Sequence, residues 1–285
     1  MKKLSCAVLI WAMCASIFTG CGMNAKDEIT VVSREEGSGT RGAFIELFDI
    51  EQKDSDGNKE DHTIDSSEIT NSTSVVITTV SGNNSAIGYI SLCALNDTVT
   101  ALSIDGVKAN AENIKNGTYK ASRPFNIAVK ENLSKEAADF IDFIMSKEGQ
   151  EVIEDNGYVS KENNGSYSGG KISGKIKIAG SSSVAPVMEK LKEAYIKINP
   201  DAGVEIQQND STTGMTSVAE GICDIGMASR ALKQSELDKG LIPKEIAMDG
   251  IAVIVSNESQ YISLSSQDIK AIYTGQKKSW SEIDK

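Results

Sequence analysis

The stretch Val32-Ser33-Arg34-Glu35-Glu36-Gly37-Ser38-Gly39-Thr40-Arg41 decides how this chain is read. It is entered from Ile29-Thr30-Val31-Val32, a β-branched run that reads as a strand. It is left through Ala43, Phe44, Leu47 and Phe48, which recur at helical spacing. The segment is therefore a strand-to-helix corner made of small and hydroxyl side chains. A helix start carries unpaired N–H donors and a partial positive charge, so it attracts anions. Glycine lets the backbone come close to a ligand, and hydroxyls add donors.

The same kind of corner recurs. Ser181-Ser182-Ser183 lies between a strand over Lys175–Ala179 and a helical stripe of Val184, Val187, Met188, Leu191, Tyr195 and Ile198, stopped by Asn199-Pro200. Ser211-Thr212-Thr213-Gly214 follows a strand over Val204–Gln207 and precedes a short helix over Met215–Ile222. Ala228-Ser229 closes a strand over Asp224–Ala228, and a helix is expected beyond Arg230. Any one cluster is explained by capping or a turn. Four in one chain, one of them flanked by Arg34 and Arg41, point to a shared anion site.

The remaining elements complete an α/β alternation. Helices are expected over Ser74–Val80, along Ala137, Phe140, Ile141 and Ile144, and along Ile269, Ile272 and Tyr273; strands are expected over Ala86–Ile90, Asn126–Val129 and Ile251–Val255. Asp49–Ser67 reads as a solvated loop, with Asp54–Asn58 a turn whose glycine comes too early for a calcium loop. Ser160–Gly170 is a linker by composition.

The 285 residues are 40% hydrophobic and 24% charged, which suits a soluble globular protein. The formal net charge of −11 argues against nucleic acid and anionic membrane surfaces as partners, but not against a small anion. Lys2 and Lys3, the apolar run Ala7–Phe18 and the ending Phe18-Thr19-Gly20-Cys21 have the layout of a signal peptide over residues 1–20. The small-residue-then-Cys ending resembles a bacterial lipobox, which implies lipidation of Cys21 and anchoring on the outer face of the cell membrane. Cys93 and Cys223 then remain as free thiols, and the single histidine, His62, sits in a polar loop. Neither supplies a zinc site, and no cofactor is expected.

Hydrogen bonds alone can hold the anion. A charge-assisted bond contributes roughly 1.5–3 kcal/mol, and micromolar binding requires about 8 kcal/mol. Arg34 offers a planar fork to two oxygens. A buried carboxylate that accepts the proton of monohydrogen phosphate would favour phosphate over sulfate, and Glu36 and Asp210 are the candidates.

The corner around Arg34 resembles the signature of the phosphate-binding lipoproteins of phosphate ABC importers. Gly180-Ser181-Ser182-Ser183-Val184-Ala185-Pro186, Asp224–Arg230, Asp249–Val255, Ile272–Gly275 and Ala86–Ile90 are similar to it as well. The resemblance covers nearly all of the chain after the signal. It implies a two-lobed, type II periplasmic-binding-protein fold, each lobe a mixed sheet flanked by helices, that closes on inorganic phosphate and delivers it to membrane permease subunits as a monomer. The two halves stand in exchanged order relative to that family, as in a circular permutation, with Ser160–Gly170 joining the old termini. One lobe would comprise residues 27–122 and 262–285 and the other 123–261, with hinge crossings near Arg123-Pro124 and Ser256–Tyr261. Arg34, Ser38, Gly39 and Thr40 would bind from one lobe, and Ser182, Ser183, Ser211 and Ser229 from the other. Some family members carry an aspartate where Ser229 stands. The alternatives are a receptor for sulfate, molybdate or tungstate, and a phosphate-ester hydrolase. Against the hydrolase stand the lack of a Gly-x-Ser-x-Gly elbow and of a histidine or metal cluster near the serines.

Overall fold

The computed structural model describes residues 27–283; the signal peptide and Cys21 lie outside them. Eight strands run side by side in the order Ala202–Asn209, Gly174–Ser181, Ile225–Ala228, Ser122–Val129, Ile242–Ser256, Ala86–Ser91, Thr30–Arg34, Glu68–Thr70. Two further short strands, Val99–Ala101 and Val159–Ser160, pair with the long strand Ile242–Ser256. At each end three strands are parallel. Between them, Ser122–Val129 and the long strand are antiparallel to their neighbours, so the sheet is mixed.

The apolar pattern divides this ladder into two lobes. Phe125, Ile127, Phe140, Ile144, Ile178, Met188, Leu191 and Tyr195 belong to one core. Phe44, Tyr89, Ile251, Val253, Val255, Ile269 and Tyr273 belong to another. Burying such side chains contributes roughly 1.5–3 kcal/mol each. The stripe over residues 184–198 forms the helix Ala185–Ile198, with Pro186 in its first turn, where a missing N–H costs nothing.

Three expectations are corrected. The second crossing between lobes lies inside a strand, not at Ser256–Tyr261. Residues 242–250 of the long strand pair with Ser122–Val129, and residues 251–255 pair with Ala86–Ser91. Residues 251–261 therefore go with the lobe that holds Arg34. Asp249-Gly250, a dipeptide that often marks a turn, stays extended inside the strand, and Gly250 admits the close approach, since a Cβ there would stand 2.7 Å from Ile114 Cδ1. The turn at Asn257–Ser259, which the sequence marks so clearly, comes after the crossing. Ser160–Gly170 is also tied down rather than loose. Asn164 N donates to Met145 O at 2.9 Å, Lys147 N to Gly165 O at 2.8 Å and Tyr167 N to Glu148 Oε2 at 2.7 Å, while the Tyr167 hydroxyl bonds Asp139. One aromatic in a polar run anchors it. Finally, the Asp49–Ser67 loop contains a small hairpin, Glu51–Lys53 with Lys59–Asp61. In its turn, Asp54 Oδ1 accepts from Asp56 N and Asn58 N, each at 2.8 Å.

Candidate functional site

Helices from both lobes begin at one seam. Gly39–Leu47 is capped by Ser38, whose Oγ accepts from Arg41 N at 3.3 Å. Thr73–Ser81 is capped by Ser72. From the other lobe come Ala185–Ile198, after the Ser181–Ser183 turn, and Ser211–Ala219, capped by Asp210. Ser229 departs from the expected pattern. The backbone after it bends, and the next helix, Gln234–Leu237, starts five residues on, so Ser229 supplies a hydroxyl without a helix start.

The two sets of corners touch. Arg34 Nη2 donates to Ser182 Oγ at 3.1 Å, and Thr40 Oγ1 and Ser183 Oγ share a bond of 2.7 Å. Ser229 N donates to Ser211 Oγ at 3.2 Å, and Ser181 Oγ to Ser229 Oγ at 3.0 Å. Thr212 N reaches Gly37 O at 3.2 Å across the seam. Arg34, Ser38, Thr40, Ser182, Ser183, Ser211 and Ser229 are all buried. At Gly39 a Cβ would stand 2.5 Å from Ser211 Oγ and 2.7 Å from Ser229 Oγ, so only glycine lets the lobes come this close. The structure thus gathers Arg34, Gly39, Thr40, Ser182, Ser183, Ser211 and Ser229 at the inter-lobe seam, while the hydrogen bonds of Ser38, next to Gly39, stay within its own corner.

The structure places the two proton-acceptor candidates differently. Glu36 is exposed. Asp210 spends both oxygens on its cap, with Thr213 N at 2.8 Å and Thr213 Oγ1 at 2.5 Å. A flexible acidic neighbour of a glycine corner and a helix-capping aspartate look alike in sequence to a buried acceptor. The polar groups that meet at the seam are hydroxyls, amides and Arg34 with its partner Glu35, and Asp210 packs against Gly37 across it; a hydroxyl can also accept a hydrogen bond from a ligand proton.

Thr73 was not anticipated. It is buried, and its Oγ1 lies 3.3 Å from Ser183 Oγ and 3.5 Å from Ser182 Oγ. The run Asn71-Ser72-Thr73-Ser74 ahead of a helix carried the same signal as the other corners. The strand before it, Glu68–Thr70, is too short and exposed to show a pattern.

Packing behind the seam holds Arg34 in place. Arg34 N donates to the Tyr89 hydroxyl at 3.1 Å, and Ser33 Oγ bonds the same hydroxyl at 2.8 Å. The Tyr89 ring stacks on Phe44 at 3.9 Å between centroids. Burial pushes the Tyr89 pKa up, so the phenol stays protonated. Arg34 also forms a two-point bond to Glu35, Nε to Oε2 at 2.8 Å and Nη2 to Oε1 at 2.7 Å. On the other lobe, Arg230 forks onto Glu236 at 2.8 and 2.9 Å. Burial opposes the Glu236 charge, but bonds from Arg230 and Lys233 N outweigh it and its pKa lies below the usual value. His62 lies on the exposed hairpin side, outside the cluster.

Two lobes joined by crossing strands, with helix starts from both facing a buried polar seam, define a solute-binding protein of the type II periplasmic-binding-protein class. Residues 10–148 and 165–285 match the PBP superfamily domain, and the chain belongs to that family. It is 53% identical over 289 residues to phosphate-binding protein PstS 2 of Streptococcus agalactiae, covering 100% of this chain and 99% of the relative. A crystal structure of a phosphate-binding protein of a phosphate ABC transporter from Streptococcus pneumoniae superposes with a TM-score of 0.71 at 46% identity, covering 90% of this chain and 100% of that one. Phosphate-binding protein PstS of Bacillus subtilis is 33% identical over 128 residues only, 44% of this chain and 43% of the relative.

Proposed function

We propose that this protein is an extracytoplasmic receptor that captures inorganic phosphate between its lobes and hands it to the permease subunits of an ABC importer. The observation that carries this reading is the seam itself: hydroxyls, amides and one guanidinium from both lobes, buried and in mutual contact. The relatives' phosphate binding supports the choice of anion. Arg34, Ser38, Gly39 and Thr40 act from one side and Ser182, Ser183, Ser211 and Ser229 from the other, with Thr73 added. A binding role is supported by the neighbours of the seam serines, which among the described residues are hydroxyls, amides and Arg34. Closure is a hinge motion of residues 122–250 against the rest. Cleavage before Cys21 and lipidation of its thiol would keep the receptor at the membrane beside its permease.

The exchanged order of the halves is read as a circular permutation. In support, the described ends of the chain abut: Ile29 N donates to Lys278 O at 2.8 Å and Trp280 N to Asp27 O at 2.9 Å. The match to B. subtilis PstS is also confined to less than half of either chain, as a collinear alignment of permuted sequences requires.

Calorimetry on the mature protein with phosphate, sulfate and molybdate tests the reading. Phosphate should bind and sulfate should compete poorly. Equal binding of sulfate would make the protein a general oxyanion receptor, and binding of none would end the receptor reading.

A further inference from the structure

Behind the seam, where both strands cross between lobes, lies a second buried guanidinium. Arg123 is 2% exposed and stands opposite Asp249 in the paired strands. Its Nη2 donates to Asp249 Oδ2 at 3.2 Å, while Nε and Nη1 are buried with no hydrogen-bond partner. Asp249 is held from the other lobe by Ser91 Oγ at 2.9 Å. Ser91 follows Tyr89 by two residues on the same face of its strand, about 7 Å along. Tyr89 is the residue whose hydroxyl receives Arg34 N. The pair thus sits one step along the strand from the Arg34 corner.

Three arginines near the seam are each matched by a carboxylate. Arg34 is forked onto Glu35, Arg230 onto Glu236, and Arg41 is bonded to Asp61. Arg123 differs, with one long bond to its carboxylate and two N–H groups left over. Burial pushes the Asp249 pKa up to about 6, against the pull of Arg123, so the carboxylate is mostly ionised at neutral pH, and the imbalance lies in its single long bond to Arg123 and the two buried N–H groups that bond leaves over.

We propose that Arg123 is an electrostatic positioning residue of the anion site, whose incompletely balanced charge on the hinge strand holds the closed seam positive for an anion it does not touch. The inference rests on the phosphate reading. It accounts for a site that takes an anion although its own arginine is already paired with Glu35.

Phosphate calorimetry on the full-length mature protein and three variants tests it, with thermal unfolding as the folding control. Arg123→Gln should weaken phosphate binding at least about tenfold, and Arg123→Lys, which keeps the charge but loses the fork, should recover most of that loss. Asp249→Asn should act in the opposite direction, tightening binding about threefold or more, because it frees the Arg123 charge. A merely structural pair would weaken binding in both directions. If Arg123→Gln does not fold, the Lys and Asp249→Asn variants still decide. Unchanged or weaker binding by Asp249→Asn, or unchanged binding by folded Arg123→Gln, overturns the proposal. Absence of phosphate binding by the wild-type protein in the same titration would instead overturn the receptor reading.

Discussion

Gly39→Ala separates lobe closure from lobe stability. Gly39 is the first residue of its helix and its φ is not left-handed, so alanine suits the backbone and should raise local helix stability by roughly 0.5–1 kcal/mol. The added methyl carbon would stand 2.5 Å from Ser211 Oγ, 2.7 Å from Ser229 Oγ and 3.1 Å from Arg230 Cγ. All three neighbours belong to the opposite lobe, so the clash exists only when the lobes are shut. Relieving such overpacking typically costs about 1–3 kcal/mol. Charged to closure, that is about 5- to 150-fold in phosphate affinity. Gly42→Ala, one turn further along the same helix, is the control. Its Cβ meets only Arg230 Cδ at 3.8 Å, an ordinary contact. Calorimetry and thermal unfolding are run on all three proteins. Gly39→Ala should bind weakly yet melt no lower than wild type, and Gly42→Ala should match wild type in affinity. Wild-type affinity in Gly39→Ala would mean that the seam opens up in the bound state and that the contacts described above are not those of capture.

Arg34→Ala should weaken phosphate binding by about 2–4 kcal/mol, read by calorimetry, since it removes charge-assisted bonds and leaves Glu35 facing the seam unpaired. Ser38→Ala should lower stability by about 1 kcal/mol in denaturant unfolding through loss of the cap to Arg41 N. Asp249 supplies a pH signature. Its folded pKa lies above the ordinary 3.8, at about 6, so the folded state binds more protons in that window and stability falls as pH rises through it. Asp249→Asn should remove this contribution, gaining on the order of 2–3 kcal/mol relative to wild type between about pH 4 and pH 6 in paired denaturation curves. Burial raises the Cys223 thiol to about 11 and pushes Cys93 higher still, so neither should be alkylated at neutral pH before unfolding.

Much of this was legible in the sequence because the chemistry is local. A strand, a Ser/Gly corner and a helix stripe are neighbours along the chain, so Arg34, Ser38–Thr40, Ser182–Ser183 and Ser211 could be picked out before any contact was known. Thr73 carried the same local mark but followed a strand of three residues, too short to establish a period. The Arg123–Asp249 pair had no local mark at all. Its two members are 126 positions apart and meet only through strand register. The crossing at Gly250–Ile251 was hidden for a related reason. Burial on both faces makes Ile251–Val255 look the same whichever lobe owns it, and the visible turn signals at Asn257–Ser259 drew the boundary too late. Selectivity was not legible at Glu36 and Asp210, because carboxylates beside a corner announce charge but not direction.

The unbroken strand Ile242–Ser256 has a mechanical consequence. Its amides stay laddered to Ser122–Val129 on one side of the crossing and to Ala86–Ser91 on the other, and Ile251 N bonds Ala121 O at 2.7 Å where the two connections meet. A joint of this kind flexes like a leaf spring and does not swing like a chain link. Opening must bend and twist a sheet without parting its rungs, so the excursion is short, it stores elastic energy, and the hinge amides should resist deuterium exchange in the empty and loaded receptor alike.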